Sequence, residues 1–340
     1  MLDLRKLLRL QEEPHIYLDD LEVHRILTEH RREYFDHFEE GFRFWAAHPD
    51  KLMLTPKQIY YSPGMRGDFR VMPCQMHREG GSVNIVKLIG TNEEEELIKD
   101  KISVGKAFLF HPRDNFIIGV FDACVLSSVR TGACAALGFK HLGKGARRVG
   151  IIGCGRCGYY SAEFIHQQGT VEKFLCFDTN AVNLENFKEL AKVRNIPCEF
   201  PRTLEEVKKG SDALVLSTYS PSPLVSGSDL EKYGLRFISS SGADADNLSE
   251  MEEDVPRHVG RIFVDVVHSL RCADLKRWKQ KGLITDDTVV ELREVIGGAF
   301  KPEETHNIFV TTGFAYLDLL TIDYLYSFVA QKKNGTLVKN

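Results

Sequence analysis

Arg148-Val-Gly-Ile-Ile-Gly153-Cys-Gly155-Arg156-Cys157-Gly158 constrains this chain more than any other stretch, because it joins a short apolar run to three glycines spaced G-x-G-x-x-G. An apolar run, a glycine turn and a helix opening in that order are the start of a parallel β-α-β unit. Each glycine has its own steric task. Gly153 makes the tight turn, Gly155 lets the backbone approach a pyrophosphate, and Gly158 lets the helix pack on the strand. Arg156 and Cys157 fill the first helical turn, whose N–H groups face the phosphates. Asp178 closes the next apolar run twenty residues after Gly158, where a carboxylate accepts hydrogen bonds from a ribose and repels a 2′-phosphate. The expectation is therefore an NAD site rather than an NADP site. The fingerprint lies mid-chain with no second flavin-type signature, which argues against FAD.

The same loop spells Cys154-Gly-Arg-Cys157. A redox or zinc role needs a second pair or a thioredoxin-like context, and the sequence has neither. The twelve histidines show no metal-type pairing and no Gly-x-Ser-x-Gly occurs, so neither a metal site nor a serine hydrolase is expected.

Strand-like and helix-like patterns alternate from residue 149 to about residue 265, which predicts a doubly wound parallel sheet. Before it, β-type runs at Phe69–Met72, Val83–Ile89, Ala107–Phe110 and Phe116–Phe121, separated by turn residues, predict an antiparallel sheet. Apolar residues from Val23 to Phe42 recur at helical steps and predict one long amphipathic helix from Asp19 to about Trp45. Asn92 followed by four glutamates reads as a capped helix start rather than a metal site. The final stretch, Leu292–Ile296, Ile308–Thr312 and the helical Tyr316–Val329, is expected to return toward the opening module. The fold class is thus α/β, a Rossmann sheet inserted into an α+β substrate-binding and dimerisation domain. That domain is expected at 1–127 plus 318–340, with the NAD-binding domain at 128–317.

Composition narrows the partner. With 340 residues, 44 Lys+Arg against 48 Asp+Glu, and a net charge of −4, the chain lacks the basic footprint of a nucleic-acid or anionic-membrane binder. A small molecule is the expected partner. Eight cysteines are too few for a disulfide scaffold at this length and several lie in apolar runs, which favours a reducing cytoplasm. The N-terminus reads as a short amphipathic helix rather than a targeting peptide.

Period-two alternation puts Val83, Ile85, Lys87 and Ile89 on one strand face, so Lys87 sits among aliphatics. An ammonium there is costly unless paired, and suits proton transfer or carboxylate binding. The plain alternative is an edge-strand lysine reaching water. Asp244, in Gly242-Ala-Asp244, follows a strand of the parallel sheet and is placed at its ligand-binding edge, or is simply a turn residue. Arg130 is placed to offer a guanidinium fork to a carboxylate, and Arg66 and Arg70 are further candidates for it.

An arginine followed by Met72-Pro73, the strand lysine, Arg130-Thr131-Gly-Ala-Cys-Ala135, the glycine fingerprint, Gly242-Ala-Asp244 and the late Thr312-Gly313 to Asp318 occur in one order. This order resembles the ornithine cyclodeaminase/μ-crystallin family over roughly residues 60 to 325. The string Val86–Thr91 is similar to the siderophore-pathway branch, which oxidises an amino-acid adduct to make 2,3-diaminopropionate precursors. Arg130-Thr-Gly-Ala is similar to lysine-cyclodeaminase-like members. The resemblance implies a homodimer that acts on an amino or imino acid and holds NAD(H) in its second domain. It implies that Lys87 contacts the substrate carboxylate and assists proton transfer, that Arg130 clamps that carboxylate, and that Asp244 engages the amine or activates water at the imine. Thr218 would lie near the nicotinamide, with Thr131 and Gly313 among the cofactor contacts. The implied activity is an NAD-dependent dehydrogenase or imine reductase at a Cα–N bond. The alternatives are an ammonia-eliminating cyclodeaminase and a non-enzymatic binding protein. Where the family has Pro-x-Asn after the lysine, this chain has Gly90-Thr-Asn92-Glu, which bears on the substrate accepted.

Overall fold

The computed structural model describes residues 3–61, 64, 67–93, 97–99, 101–242, 247–304 and 306–332. The chain forms two compact units, one built from residues 3–29, 50–126 and 318–332, the other from 30–49 and 127–317.

In chain order the first part runs α1 (Leu4–Leu7), β1 (Ile16–Leu18), α2 (Asp20–Glu29), α3 (Arg31–Ala47), β2 (Leu52–Leu54), β3 (Gln58–Tyr60), β4 (Phe69–Arg78), β5 (Gly81–Thr91), β6 (Ser103–Phe110) and β7 (Ile117–Asp122). The expected single helix is broken at His30, whose backbone leaves helical angles at φ −107° and ψ 30°. The apolar stripe runs on through the break, but its two halves join different units. Val23, Ile26 and Leu27 of α2, in the first unit, are buried, and in the second Phe35 of α3 stacks on Phe164 while Tyr34 packs against it with a tilted ring. Residues 30–49, expected with the first domain, therefore group with the second unit.

The sheet of the first unit has the order β1-β7-β6-β5-β4-β2, with β3 also on β4. The expected antiparallel pairing holds from β2 to β7, while β1 lies parallel to β7 and makes the sheet mixed. The helix start expected after Asn92 falls on residues 94–96, which lie outside the described residues; the Asn92 carboxamide donates to the carbonyls of Ile98 and Lys101.

The second part runs α4 (Ala123–Leu142), β8 (Arg148–Ile152), α5 (Arg156–His166), β9 (Lys173–Phe177), α6 (Ala181–Val193), β10 (Cys198–Glu199), α7 (Leu204–Gly210), β11 (Ala213–Leu216), α8 (Gly227–Tyr233), β12 (Phe237–Ser240), β13 (Ile262–Val264), α9 (Ala273–Gln280), β14 (Val289–Glu291), α10 (Leu292–Ile296), β15 (Asn307–Val310) and α11 (Ala315–Lys332). Its sheet is parallel throughout in the order β10-β9-β8-β11-β12-β15-β13-β14. Both faces of the central strands are covered: all four residues of β11, Ala213-Leu-Val-Leu216, are apolar and buried, and all four of β12 are buried even though Ser239 and Ser240 are polar. Residues 307–310, expected to return to the opening module, instead fill the place between β12 and β13. Leu292–Ile296 also stays in the second unit, and from Asp318 the last helix belongs to the first. Among the described residues no helix is long and apolar enough to cross a membrane.

Candidate functional site

The sheet of the first unit places its lysine by register. Phe121, Ala107, Lys87 and Met72 face one another across β7, β6, β5 and β4. Val83 and Ile85 of the same strand, and Cys74 and Met76 beside them, are buried on this face. Ala107 is the smallest member of the row and leaves room beside the long lysine chain. Lys87 is 1% exposed, so it does not reach water from a strand edge. Its ammonium donates to Asp318 Oδ1 at 2.8 Å and lies 2.7 Å from Oδ2. Asp318, on α11, is fully buried. A buried charge is tolerated when a geometrically good counter-charge replaces the lost water, and this carboxylate supplies it. In the sequence Asp318 stands out only as the end of the spacing that starts at Thr312-Gly313; no local pattern links it to a lysine 231 residues away.

Arg70 lies on β4 with Ile89 of β5 as its partner, so it shares the face of Lys87. Its guanidinium holds Asp68 through Nε–Oδ1 and Nη2–Oδ2 bonds, both 2.8 Å. Arg66 lies outside the described residues.

The second unit gathers its candidate groups at the carboxyl ends of parallel strands. After β8, Gly153 has φ +96°, and a Cβ there would stand 2.4 Å from Ser217 O. A Cβ on Gly158 would stand 2.0 Å from Gly153 O, the close helix-on-turn contact its position requires. Around Gly155 the outcome is the opposite: a Cβ would meet nothing within 4 Å. That open space beside the N-terminus of α5, where Gly155 provides no side-chain cap, fits a pyrophosphate approaching the backbone. Arg156 reaches Ser128 Oγ at 3.4 Å. Asp178, at the end of β9, accepts from Cys154 N at 2.7 Å and from Asn180 N at 2.8 Å, which holds its carboxylate at the rim of the glycine turn. Cys154 is buried, and burial pushes its thiol well up, whereas Cys157 is partly exposed. Among the described residues no cluster of metal-ligating side chains forms.

Two buried carboxylates that the sequence did not single out fix the other strand ends. Glu250 accepts at Oε1 from Thr218 N (2.7 Å) and Thr218 Oγ1 (2.9 Å), and at Oε2 from Ser240 Oγ (2.7 Å) and Gly242 N (3.0 Å). Burial pushes this carboxyl above its usual range, and the four donors pull the other way. Asp265 accepts at Oδ1 from Val266 N (2.9 Å) and Ser269 Oγ (2.6 Å), and at Oδ2 from Thr311 Oγ1 (2.7 Å) and Gly313 N (3.0 Å). Gly313 has φ +70°, and a Cβ on it would fall 2.2 Å from Arg130 Nη1. Glycine is thus required twice over, by conformation and by the guanidinium beside it. Arg130 is 8% exposed and donates from Nη1 to Thr131 Oγ1 at 2.7 Å. Asp244 lies outside the described residues.

An all-parallel sheet with a glycine turn after its central strand and a carboxylate after the next defines a Rossmann-type dinucleotide-binding protein. A model of the ornithine cyclodeaminase/mu-crystallin family matches residues 18–333, and the chain belongs to that family. It is similar to the alanine dehydrogenase of Archaeoglobus fulgidus, 26% identical over 306 residues, which are 88% of this chain and 91% of that protein. It is also similar to the iminosuccinate reductase of Paracoccus denitrificans, 27% identical over 232 residues, 67% of this chain and 70% of that one. Two solved structures share the fold. The Delta(1)-pyrroline-2-carboxylate reductase of Thermococcus litoralis, solved with NADH and L-proline, has a TM-score of 0.82 at 22% identity over 95% of this chain and 100% of that chain. An archaeal alanine dehydrogenase dimer with bound NAD has a TM-score of 0.82 at 23% identity over 96% and 99%.

Proposed function

We propose that this chain is an NAD-dependent oxidoreductase acting on the Cα–N bond of an amino acid or N-substituted amino acid, as a dehydrogenase or as the reverse imine reductase. The observation that carries the proposal is the buried Lys87–Asp318 pair, a proton-bearing ammonium held inside a chain that also has the complete dinucleotide turn. The names of its dehydrogenase and reductase relatives support it.

When bound, NAD(H) supplies or accepts the hydride at the substrate carbon. The glycine turn, Arg156, Cys157, Asp178, Thr131, Thr218 and Gly313 are read as the residues that hold it. Lys87 keeps a proton at Nζ for the substrate, and the fixed carboxylate of Asp318 keeps that atom in one place. Arg130 and, more weakly, Arg70 offer guanidinium groups to the substrate carboxylate; the Asp68 contact already occupies the fork of Arg70. Arg66 is a further candidate for the same task. Asp244 is read as the group that engages the amine or activates water at the imine. The same reading includes a substrate domain at 1–127 plus 318–340, from which residues 30–49 depart to group with the second unit, an NAD-binding domain at 128–317, a homodimer, and a cytoplasmic place of work.

The test is incubation with NAD and, separately, with NADH, against amino acids and against 2-oxo acids with amines, reading nicotinamide absorbance and ammonia together. Net change in absorbance supports the proposal. Ammonia and a cyclic imino acid without net NADH mark a cyclodeaminase instead, and binding without turnover marks a ligand-binding protein. Light scattering on a sizing column reads the dimer.

A further inference from the structure

Glu250 has no role in the reading above, yet it joins the ends of two neighbouring strands, β11 and β12. Thr218 follows β11 and Gly242 follows β12, and one carboxylate accepts from the backbone N–H of both. The direction of the bound ligand follows from the strand order. The pyrophosphate turn follows β8, and Asp178 follows β9 on one side of it, so the adenosine half lies toward β9. The other half then runs over the exits of β11 and β12, on the opposite side of β8. This direction rests on the NAD reading proposed above.

We propose that Glu250 is a positioning residue that shapes the nicotinamide end of the cofactor site by fixing the backbone of Thr218 and Gly242 together. The chemistry of its partners makes the carboxylate irreplaceable. The hydroxyls of Thr218 and Ser240 can rotate, but a backbone N–H only donates. One such N–H points at each oxygen of Glu250. A glutamine has one acceptor oxygen and one donor NH2, so in either orientation it sets a donor against the N–H of Thr218 or of Gly242. The space around Gly242 is also tight. A Cβ there would lie 2.0 Å from Thr218 O and 2.4 Å from Glu250 Oε1, so the Gly242 backbone is closely hemmed in beside both. Asp274 fixes the backbone that carries the carboxylate, accepting from Glu250 N at 3.0 Å and from Met251 N at 3.2 Å.

The test is Glu250→Gln, read by fluorescence titration with two ligands, NADH and ADP-ribose, which lacks the nicotinamide ring. The glycine turn and Asp178 are untouched, so ADP-ribose affinity is expected to stay within about twofold. NADH affinity is expected to fall about tenfold or more, the scale of one buried donor left opposed. Equal loss of both ligands, which a merely structural staple would give, overturns the proposal, and so does no loss of either. If circular dichroism shows that Glu250→Gln does not fold, Ser240→Ala carries the test. It keeps the carboxylate, removes one donor, and is expected to give the same NADH-selective loss at about threefold; equal or absent loss overturns the proposal there too. A parent protein that binds neither ligand overturns the cofactor reading and this inference with it, whereas a parent that binds both isolates a failure to Glu250 alone.

Discussion

Replacing Asp318 with Leu leaves the Lys87 ammonium buried without the carboxylate that lies 2.7–2.8 Å away. With Lys87 at 1% exposure and Asp318 at 0%, water cannot take over the role of either. Breaking one side of such a pair costs about 3–5 kcal/mol. For a chain of 340 residues unfolding in one transition, at about 1.4 °C per kcal/mol, the melting temperature should fall by about 4–7 °C. Lys87→Met should cost a similar amount, because it leaves the carboxylate in the same apolar surroundings. The double variant Lys87→Met, Asp318→Leu replaces the pair with apolar chains, Met matching Lys in size and Leu exceeding Asp, and apolar replacement of a buried pair is often neutral or stabilising. It should melt within a few degrees of the parent. Turnover separates the two contributions. Both variants lacking the lysine should lose about a hundredfold or more, the scale of general acid–base catalysis, while still binding NADH. Thermal unfolding by circular dichroism and nicotinamide absorbance read the outcome. A double variant as unstable as the two single losses added together would refute the ion-pair argument. Full turnover with Lys87→Met would refute the role of the lysine.

Gly155→Ala should leave the melting temperature unchanged, because its Cβ enters open space, yet weaken NADH binding about tenfold by filling the pyrophosphate approach; Gly158→Ala, aimed 2.0 Å from Gly153 O, should lower both in the same titration. Gly313→Ala should raise KM for the carboxylate substrate more than it lowers kcat in steady-state kinetics, since its Cβ displaces the Arg130 guanidinium. The hydrogen bond from His141, together with Lys140, holds the buried Glu39 carboxyl at about 2 instead of its ordinary 4.5. Its folded value is depressed, so its stabilisation is present above pH 4.5 and is lost as pH falls toward 2. A melting-temperature profile should therefore drop more steeply over that range in the parent than in Glu39→Gln.

The glycine turn was legible because its geometry is local: the tight turn, the pyrophosphate approach and the helix contact all fall within six consecutive residues, 153–158. The apolar face of Lys87 was legible for the same reason, since a strand alternates sides with every residue. His30 was not. The apolar period runs through it unbroken, while its two halves belong to different units. Residues 307–310 carry a strand pattern that fits either sheet, and their place in the parallel sheet follows from which neighbours complete their hydrogen bonds. The sequence by itself thus determined the class of fold, the dinucleotide turn and the apolar face on which Lys87 lies, while its burial came from the tertiary structure. Tertiary structure alone decided what makes those groups usable: Asp318 under Lys87, Asp265 on Gly313, and Glu250 across Thr218 and Gly242. A buried charge or an N–H at a strand end is satisfied by whatever folding brings within about 3 Å, and chain separation says nothing about that distance.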